Sequence, residues 1–144
     1  MSLKFSQGTY ALKNPEKYMG LGNPRYRSSW EFAVMKMCDE NSAIHQWASE
    51  SVKIPYRDPL TGKATVYVPD FLVVFEDKKR QRRTELWEIK PVNQTLREEV
   101  GKNKYNQAQY VKNIVKWQAA SNWCKQNGVH FRIITERDLF HTGK

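Results

Sequence analysis

Three residues of this chain have types and spacing that can do chemistry together: Asp70, Glu88 and Lys90. Asp70 follows Pro69 inside Thr65-Val66-Tyr67-Val68-Pro69-Asp70-Phe71-Leu72-Val73-Val74-Phe75, a run of β-branched and aromatic residues that reads as one strand. A carboxylate placed there has no packing purpose. In Leu86-Trp87-Glu88-Ile89-Lys90 the side chains of a strand alternate, so Glu88 and Lys90 share one face while Trp87 and Ile89 take the other. Two carboxylates brought together repel unless a cation lies between them. Mg²⁺ answers that need with carboxylate oxygens at about 2.1 Å, waters and a substrate phosphate in an octahedral shell. An adjacent ammonium, Lys90, can then orient or help deprotonate the attacking water and offset charge growing on phosphoryl oxygens. This is the equipment of a metal-dependent phosphodiesterase.

The elements must bring the two strands side by side. Between Phe75 and Leu86 the chain is polar and too short for a crossover helix, which predicts a hairpin and antiparallel pairing. Glu88-x-Lys90 by itself also fits a solvated strand face. The Pro-Asp step, the apolar setting of Glu88 and the spacing are what raise it to a candidate site.

Val68-Pro69-Asp70-Phe71 with Glu88-Ile89-Lys90-Pro91 resembles the PD-(D/E)xK nuclease signature. Around it, Tyr26-Arg27-Ser28-Ser29-Trp30-Glu31, Trp47-Ala48-Ser49-Glu50, Ile54-Pro55-Tyr56, Trp117-Gln118-Ala119-Ala120 and Phe131-Arg132-Ile133-Ile134-Thr135-Glu136 resemble, in order, the head completion proteins of large contractile-tailed phages. The similarity runs from about Tyr18 to Leu139. It implies a PD-(D/E)xK, restriction-endonuclease-like core and a Mg²⁺-dependent DNA endonuclease, with Mn²⁺ as a substitute. It implies a role when packaged DNA is processed or sealed in the head. The implied partners are double-stranded DNA and head or neck proteins, the portal or head-tail connector.

On that reading Asp70 and Glu88 ligate the metal, the Ile89 carbonyl adds a ligand and Lys90 serves the water. Glu31 has two readings. It stands three residues after Ser28, the capping-box position at a helix start. Related nucleases place a further acid on this first helix near the metal, so the resemblance implies a catalytic role for Glu31 as well. Both hold only if the helix N-terminus faces the site.

With 24 Lys and Arg against 15 Asp and Glu, the formal charge is +9, which points to an anionic partner, nucleic acid before membrane. No run approaches a membrane span, and the N-terminus lacks the apolar stretch of a signal peptide, so the expected location is host cytoplasm, with the virion head-neck region as a second place. Cys38 and Cys124 stand alone in helical patterns and read as reduced core residues.

The chain fits one domain over 1–144, of α/β or α+β class with a mixed sheet flanked by helices. Residues 1–25, with scattered Gly and Pro, read as an irregular arm without strand or helix. A helix capped by Ser28 or Ser29 runs to about Asp39 with Trp30, Ala33, Val34 and Met37 as its apolar face. Strands are expected at 45–49, 52–56, from Ala64 to Phe75, at 86–90 closed by Pro91, and at 129–135. Residues 92–102 read as a loop, and 136–140 as a short helix. A long helix at 105–126 carries Tyr110, Ile114, Trp117, Ala120, Trp123 and Cys124 inward and stops at Gly128.

Five of the six residues in Lys78-Lys79-Arg80-Gln81-Arg82-Arg83 are cationic, so this hairpin tip is either a solvated loop or a finger on a duplex backbone through Lys78, Lys79, Arg80, Arg82 and Arg83. Lys104, Lys112 and Lys116 recur on the long helix, on the face expected opposite the Trp stripe. Lys116 and Asn113 are candidates to approach a phosphate. Base-reading motifs and aromatic platforms for single strands are absent, so contacts should be to backbone and shape. Two other functions fit the same residues: a structural DNA-binding plug at the portal vertex that keeps a nuclease fold, or a junction resolvase or transposon-end nuclease, which needs dimerisation of which the sequence gives no clear sign.

Overall fold

The structure is a computed structural model that describes residues 7–92, 95 and 103–140; most of the expected 92–102 loop lies outside the described residues. The elements in chain order are β1 (Gly8–Thr9), a 3-10 turn (Pro15–Lys17), β2 (Arg25–Tyr26), α1 (Ser29–Glu40), β3 (Ile44–Ser49), β4 (Ile54–Arg57), β5 (Ala64–Tyr67), β6 (Phe71–Glu76), β7 (Arg82–Ile89), α2 (Lys104–Gln126), β8 (His130–Ile134) and α3 (Glu136–Phe140). A four-stranded sheet of order β3-β6-β7-β8 forms the centre. β6 runs antiparallel to both β3 and β7, and β8 is parallel to β7, so the sheet is mixed as expected.

The expected strand from Ala64 to Phe75 is two strands. β5 ends at Tyr67 and pairs with β4 in a separate two-stranded sheet, whereas β6 starts at Phe71 in the central sheet. Pro69 explains the break, since it has no N–H to give a ladder and its φ is fixed. The apolar residues on both sides of Pro69 hid this change of sheet.

Each face of the central sheet has its own core. Val34, Met35 and Cys38 of α1 pack with Trp47, Phe71, Val73, Trp87 and Ile134 on one side. Trp117, Ala120 and Cys124 of α2 pack with Leu86, Ile54 and Tyr67 on the other. α2 keeps Trp117, Ala120, Trp123 and Cys124 inward as the sequence reading has them, but it exposes Ile114 and buries Asn113, and α1 exposes Met37 and buries Met35. Apolar character alone misjudged these faces because each helix carries one polar residue, Asp39 or Asn113, inside. Gly128, at φ 69, ends α2 in the left-handed region, and Val129 N–H closes on the Cys124 carbonyl at 2.9 Å.

The arm is more ordered than its composition suggests. β1 pairs with β2, and the bridge between Tyr18 and Trp47 lays the arm along the outer edge of β3. Tyr10 is buried in the α1-side core. The arm is fastened at Asp39, which accepts hydrogen bonds from Tyr10 Oη (2.8 Å), Lys13 N (2.9 Å) and Asn14 N (3.0 Å). No helix among the described residues is long and apolar enough to cross a membrane.

Candidate active site

The site lies where β6 begins and β7 ends. Phe71 pairs with Trp87, so Asp70 stands across from Glu88, and cross-strand neighbours hold their Cβ atoms about 5 Å apart. Leu86 packs in the α2-side core and Trp87 in the α1-side core, so strand alternation sends Glu88 and Lys90 toward α2. The structure thereby brings together the three residues whose convergence the sequence suggested.

Each carboxylate is held by a group of its own. Asp70 Oδ2 accepts the Ile89 N–H at 2.7 Å. Glu88 Oε1 accepts the Tyr67 hydroxyl at 2.7 Å, and Glu88 Oε2 lies 3.7 Å from Lys90 Nζ. Burial and the charge of Glu88 push Asp70 well above the ordinary carboxylate range, with Glu31 adding to the push, and the Ile89 N–H and Lys90 only partly offset it. Burial also raises Glu88, against the opposing pull of Tyr67, Lys90 and Lys116. Two buried acids that resist ionising together form a site short of positive charge.

Glu31 lies at the start of α1 and is bonded much as a capping box would have it. The Ser28 hydroxyl caps α1 by accepting the Glu31 N–H at 3.1 Å, and the Glu31 carboxylate reaches back to Arg27 N at 2.8 Å, one residue before the capping-box position. The same carboxylate is close enough to raise Asp70 and is itself raised by burial and by Glu50. The N-terminus of α1 therefore faces the site.

Two further side chains join the site: Tyr67, to which the sequence reading assigned no role, and Lys116, a candidate for phosphate contact. Tyr67 is 3% exposed and holds Glu88; the sequence reading placed it only within an apolar strand, and its position three residues before Asp70 was the available signal. Burial, with Glu88 next, raises its phenol far above normal, so it stays a hydrogen-bond donor. Lys116 Nζ lies 4.8 Å from the centre of the Tyr67 ring. Burial and then the Lys90 and Lys112 charges lower it, against the pull of Glu88 and Asp70. Lys112 pairs with Asp58 at 3.5 Å. Lys112 and Lys116 thus do not occupy the solvated face expected for them: they flank the buried Asn113 and Trp117 and are themselves half-buried at the edge of the packed face. Asn113 itself is only 6% exposed.

The basic run lies elsewhere. Asp77–Gln81 form the hairpin turn, closed by Asp77 N to Gln81 O at 2.9 Å, and Arg82 and Arg83 belong to β7. From the Phe71–Trp87 pair to the Glu76–Arg82 pair is five residue steps, about 17 Å of strand. Lys78, Lys79, Arg80, Arg82 and Arg83 therefore occupy the opposite end of the hairpin from the acids.

Among the described residues, three or more His, Cys, Asp or Glu side chains do not gather into a cage that would hold a metal unaided. Two close carboxylates with raised affinity for a proton suit a cation that keeps much of its water, which is Mg²⁺ chemistry rather than that of a closed structural site. The donor set fits that ion.

Residues 41–136 match the family model described as the N-terminal domain of TnsA-like endonucleases. The chain is also 31% identical over 147 aligned residues to the head completion nuclease of Enterobacteria phage T4, with 92% of each chain covered. The family segment contains Asp70, Glu88 and Lys90 and begins after Glu31, whereas the alignment to the phage T4 protein takes in nearly the whole chain. A PD-(D/E)xK-type family explains why a mixed sheet brings an acid at the start of one strand to an acid and a lysine at the end of the next, and this chain belongs to it, as a member of the TnsA-like endonucleases.

Proposed function

We propose that the protein is a Mg²⁺-dependent DNA endonuclease that acts in phage head completion, on the ends of packaged DNA. The observation that supports it most is the Asp70–Glu88 pair, standing across from each other on neighbouring strands and both raised by burial, Asp70 also by the charge of Glu88, with Lys90 3.7 Å from Glu88. Similarity to a head completion nuclease supports the biological setting.

Asp70 and Glu88 would hold the metal, the Ile89 carbonyl would add a backbone ligand, and Glu31 would reach it through water. When bound, Mg²⁺ supplies the positive charge that the acids lack and draws electron density from the phosphoryl oxygens. The remaining work belongs to the chain. Ile89 N–H and Tyr67 Oη fix one oxygen of each acid, so their rotamers are set before substrate arrives. Lys90 orients the attacking water and steadies charge on the phosphate. Lys116, its ammonium over the Tyr67 ring, adds a second positive charge for the phosphate backbone. Partners would be duplex DNA and neck proteins, in host cytoplasm and the head-neck region.

Purified protein incubated with linear and supercoiled duplex in Mg²⁺, Mn²⁺ or EDTA tests the enzyme. Cleavage with either metal, absent in EDTA and absent from Asp70→Ala, is the expected result; equal nicking by Asp70→Ala, Glu88→Ala and Lys90→Ala would remove the site assignment. A phage carrying Asp70→Ala should fail like a deletion. Full complementation by that variant would favour the plug.

A further inference from the structure

Arg27, between β2 and α1, and Glu50, just after β3, form a charged pair at the surface. Arg27 and Glu50 meet in a fork: Arg27 Nη1 bonds Glu50 Oε2 at 2.5 Å and Nη2 reaches Oε1 at 3.3 Å. Their side chains are 64% and 37% exposed, so the pair is open to solvent and contributes little to stability. Its location is less ordinary. Glu50 N–H donates to the Asp70 carbonyl at 2.9 Å, and Arg27 N–H donates to the Glu31 carboxylate at 2.8 Å. Both partners are therefore tied by their main chains to acids of the site. Glu50 also adopts φ 51, a left-handed conformation better suited to Gly or Asn, and the cost of keeping Glu there calls for a use.

We infer that Arg27 is a phosphate-gripping residue of the endonuclease and that Glu50 is its placeholder, occupying on the guanidinium the two-oxygen seat that a DNA phosphate takes when substrate binds. This rests on the nuclease reading and extends it to how the substrate is seated. The physical basis is shape. A planar guanidinium presents two parallel N–H groups that fit a carboxylate or a phosphate equally well, so a carboxylate found there marks a seat that a phosphate can take. A polyanion must approach Glu31, Glu50, Asp70 and Glu88 together, and Arg27 is a cation beside them that a phosphate can take over from Glu50. Arg27 touches both the site and the solvent, as such a residue must.

Anisotropy of a labelled duplex in EDTA, over a salt series, tests the exchange without any cleavage. Arg27→Ala should weaken binding about tenfold or more and reduce the slope of log affinity against log salt by about 0.9. Arg27→Lys should keep the slope and recover only part of the affinity, since the fork is lost. Glu50→Gln should tighten binding about two- to fivefold, the range set by releasing an exposed ion pair. The Arg27→Ala/Glu50→Gln double variant should bind like Arg27→Ala. Thermal melting of each variant should stay within a few degrees of the unmodified protein. Unchanged or weaker binding by Glu50→Gln overturns the exchange, as does a gain that survives in the Arg27→Ala background, which would report only removal of a negative charge. A protein that binds no duplex at all would overturn the nuclease reading together with it.

Discussion

Asp39 and Asp70 are both drawn into the protein, and the fold treats them in opposite ways. Asp39 accepts the Tyr10 hydroxyl and two backbone N–H groups, and its own carbonyl accepts Asn14 Nδ2 at 2.8 Å and Lys17 Nζ at 3.0 Å. Burial alone would raise its carboxyl, but the bonds from Lys13, Tyr10 and Asn14 outweigh burial and leave it below the ordinary range. Asp70 has the Ile89 N–H and a second carboxylate across the strand, and it ends well above that range. A satisfied buried acid stabilises a fold, whereas an under-satisfied pair costs stability and is kept for chemistry. The distinction is carried by partners rather than by burial.

The largest expected difference between the two aspartates is in cleavage. Asp70→Asn should lower the rate by about 10³-fold or more, because a metal ligand is lost while the Ile89 N–H can still be accepted. Asp39→Asn should leave the rate per folded molecule unchanged. Plasmid nicking at a temperature where both variants are folded checks this, and a comparable loss in the two would break the comparison.

Stability should show the reverse. Asp39→Ala leaves the Tyr10 hydroxyl and two N–H groups without their acceptor and should cost about 3 kcal/mol in urea unfolding at pH 7. Asp70→Asn relieves a buried repulsion and should raise stability by about 1 kcal/mol in EDTA. Loss of stability in Asp70→Asn would mean that the pair is structural.

The pH dependence follows from the direction of the shift at Asp39. Its folded carboxyl lies below the unfolded value of about 3.9, so its contribution is complete above that value and is lost as pH falls through the folded one. In unfolding measured from pH 5 downward, Asp39→Asn should flatten the acid limb relative to the unmodified protein. An acid limb equally steep in both would place the linkage elsewhere.

Much of this was legible from the chain. Pro69-Asp70 and Glu88-Ile89-Lys90, the short polar connection between them and the stop at Gly128 are local signals, and each led to the element or neighbour the structure has. What stayed hidden depended on contacts distant in sequence. The role of Tyr67 was not visible because its hydroxyl partner, Glu88, lies 21 positions on. Asp39 looked like a helix-end residue because its acceptor role depends on an arm 25 to 29 positions earlier. The arm itself lacks periodicity, and its order comes from edge pairing with β3 and from Asp39.

The smallest effect is expected at the far end of the β6–β7 hairpin, and it sharpens the comparison because it concerns charge without burial. Arg80 sits at the tip with φ 62, a left-handed turn position where Gly costs less than any other residue. Arg83 is already engaged by Asp77 at 3.7 Å, while Lys78, Lys79 and Arg80 are exposed. If the tip lies on a duplex backbone, Arg80→Gly should steady the turn, raising the melting temperature slightly, and still weaken DNA binding by a few-fold with a salt slope smaller by about 0.9. Changing Lys79, Arg80, Arg82 and Arg83 together to Ser should lower the slope further. An unchanged slope in both variants would mark the tip as a solvated turn and leave DNA contact to the acid end and its lysines, about 17 Å away.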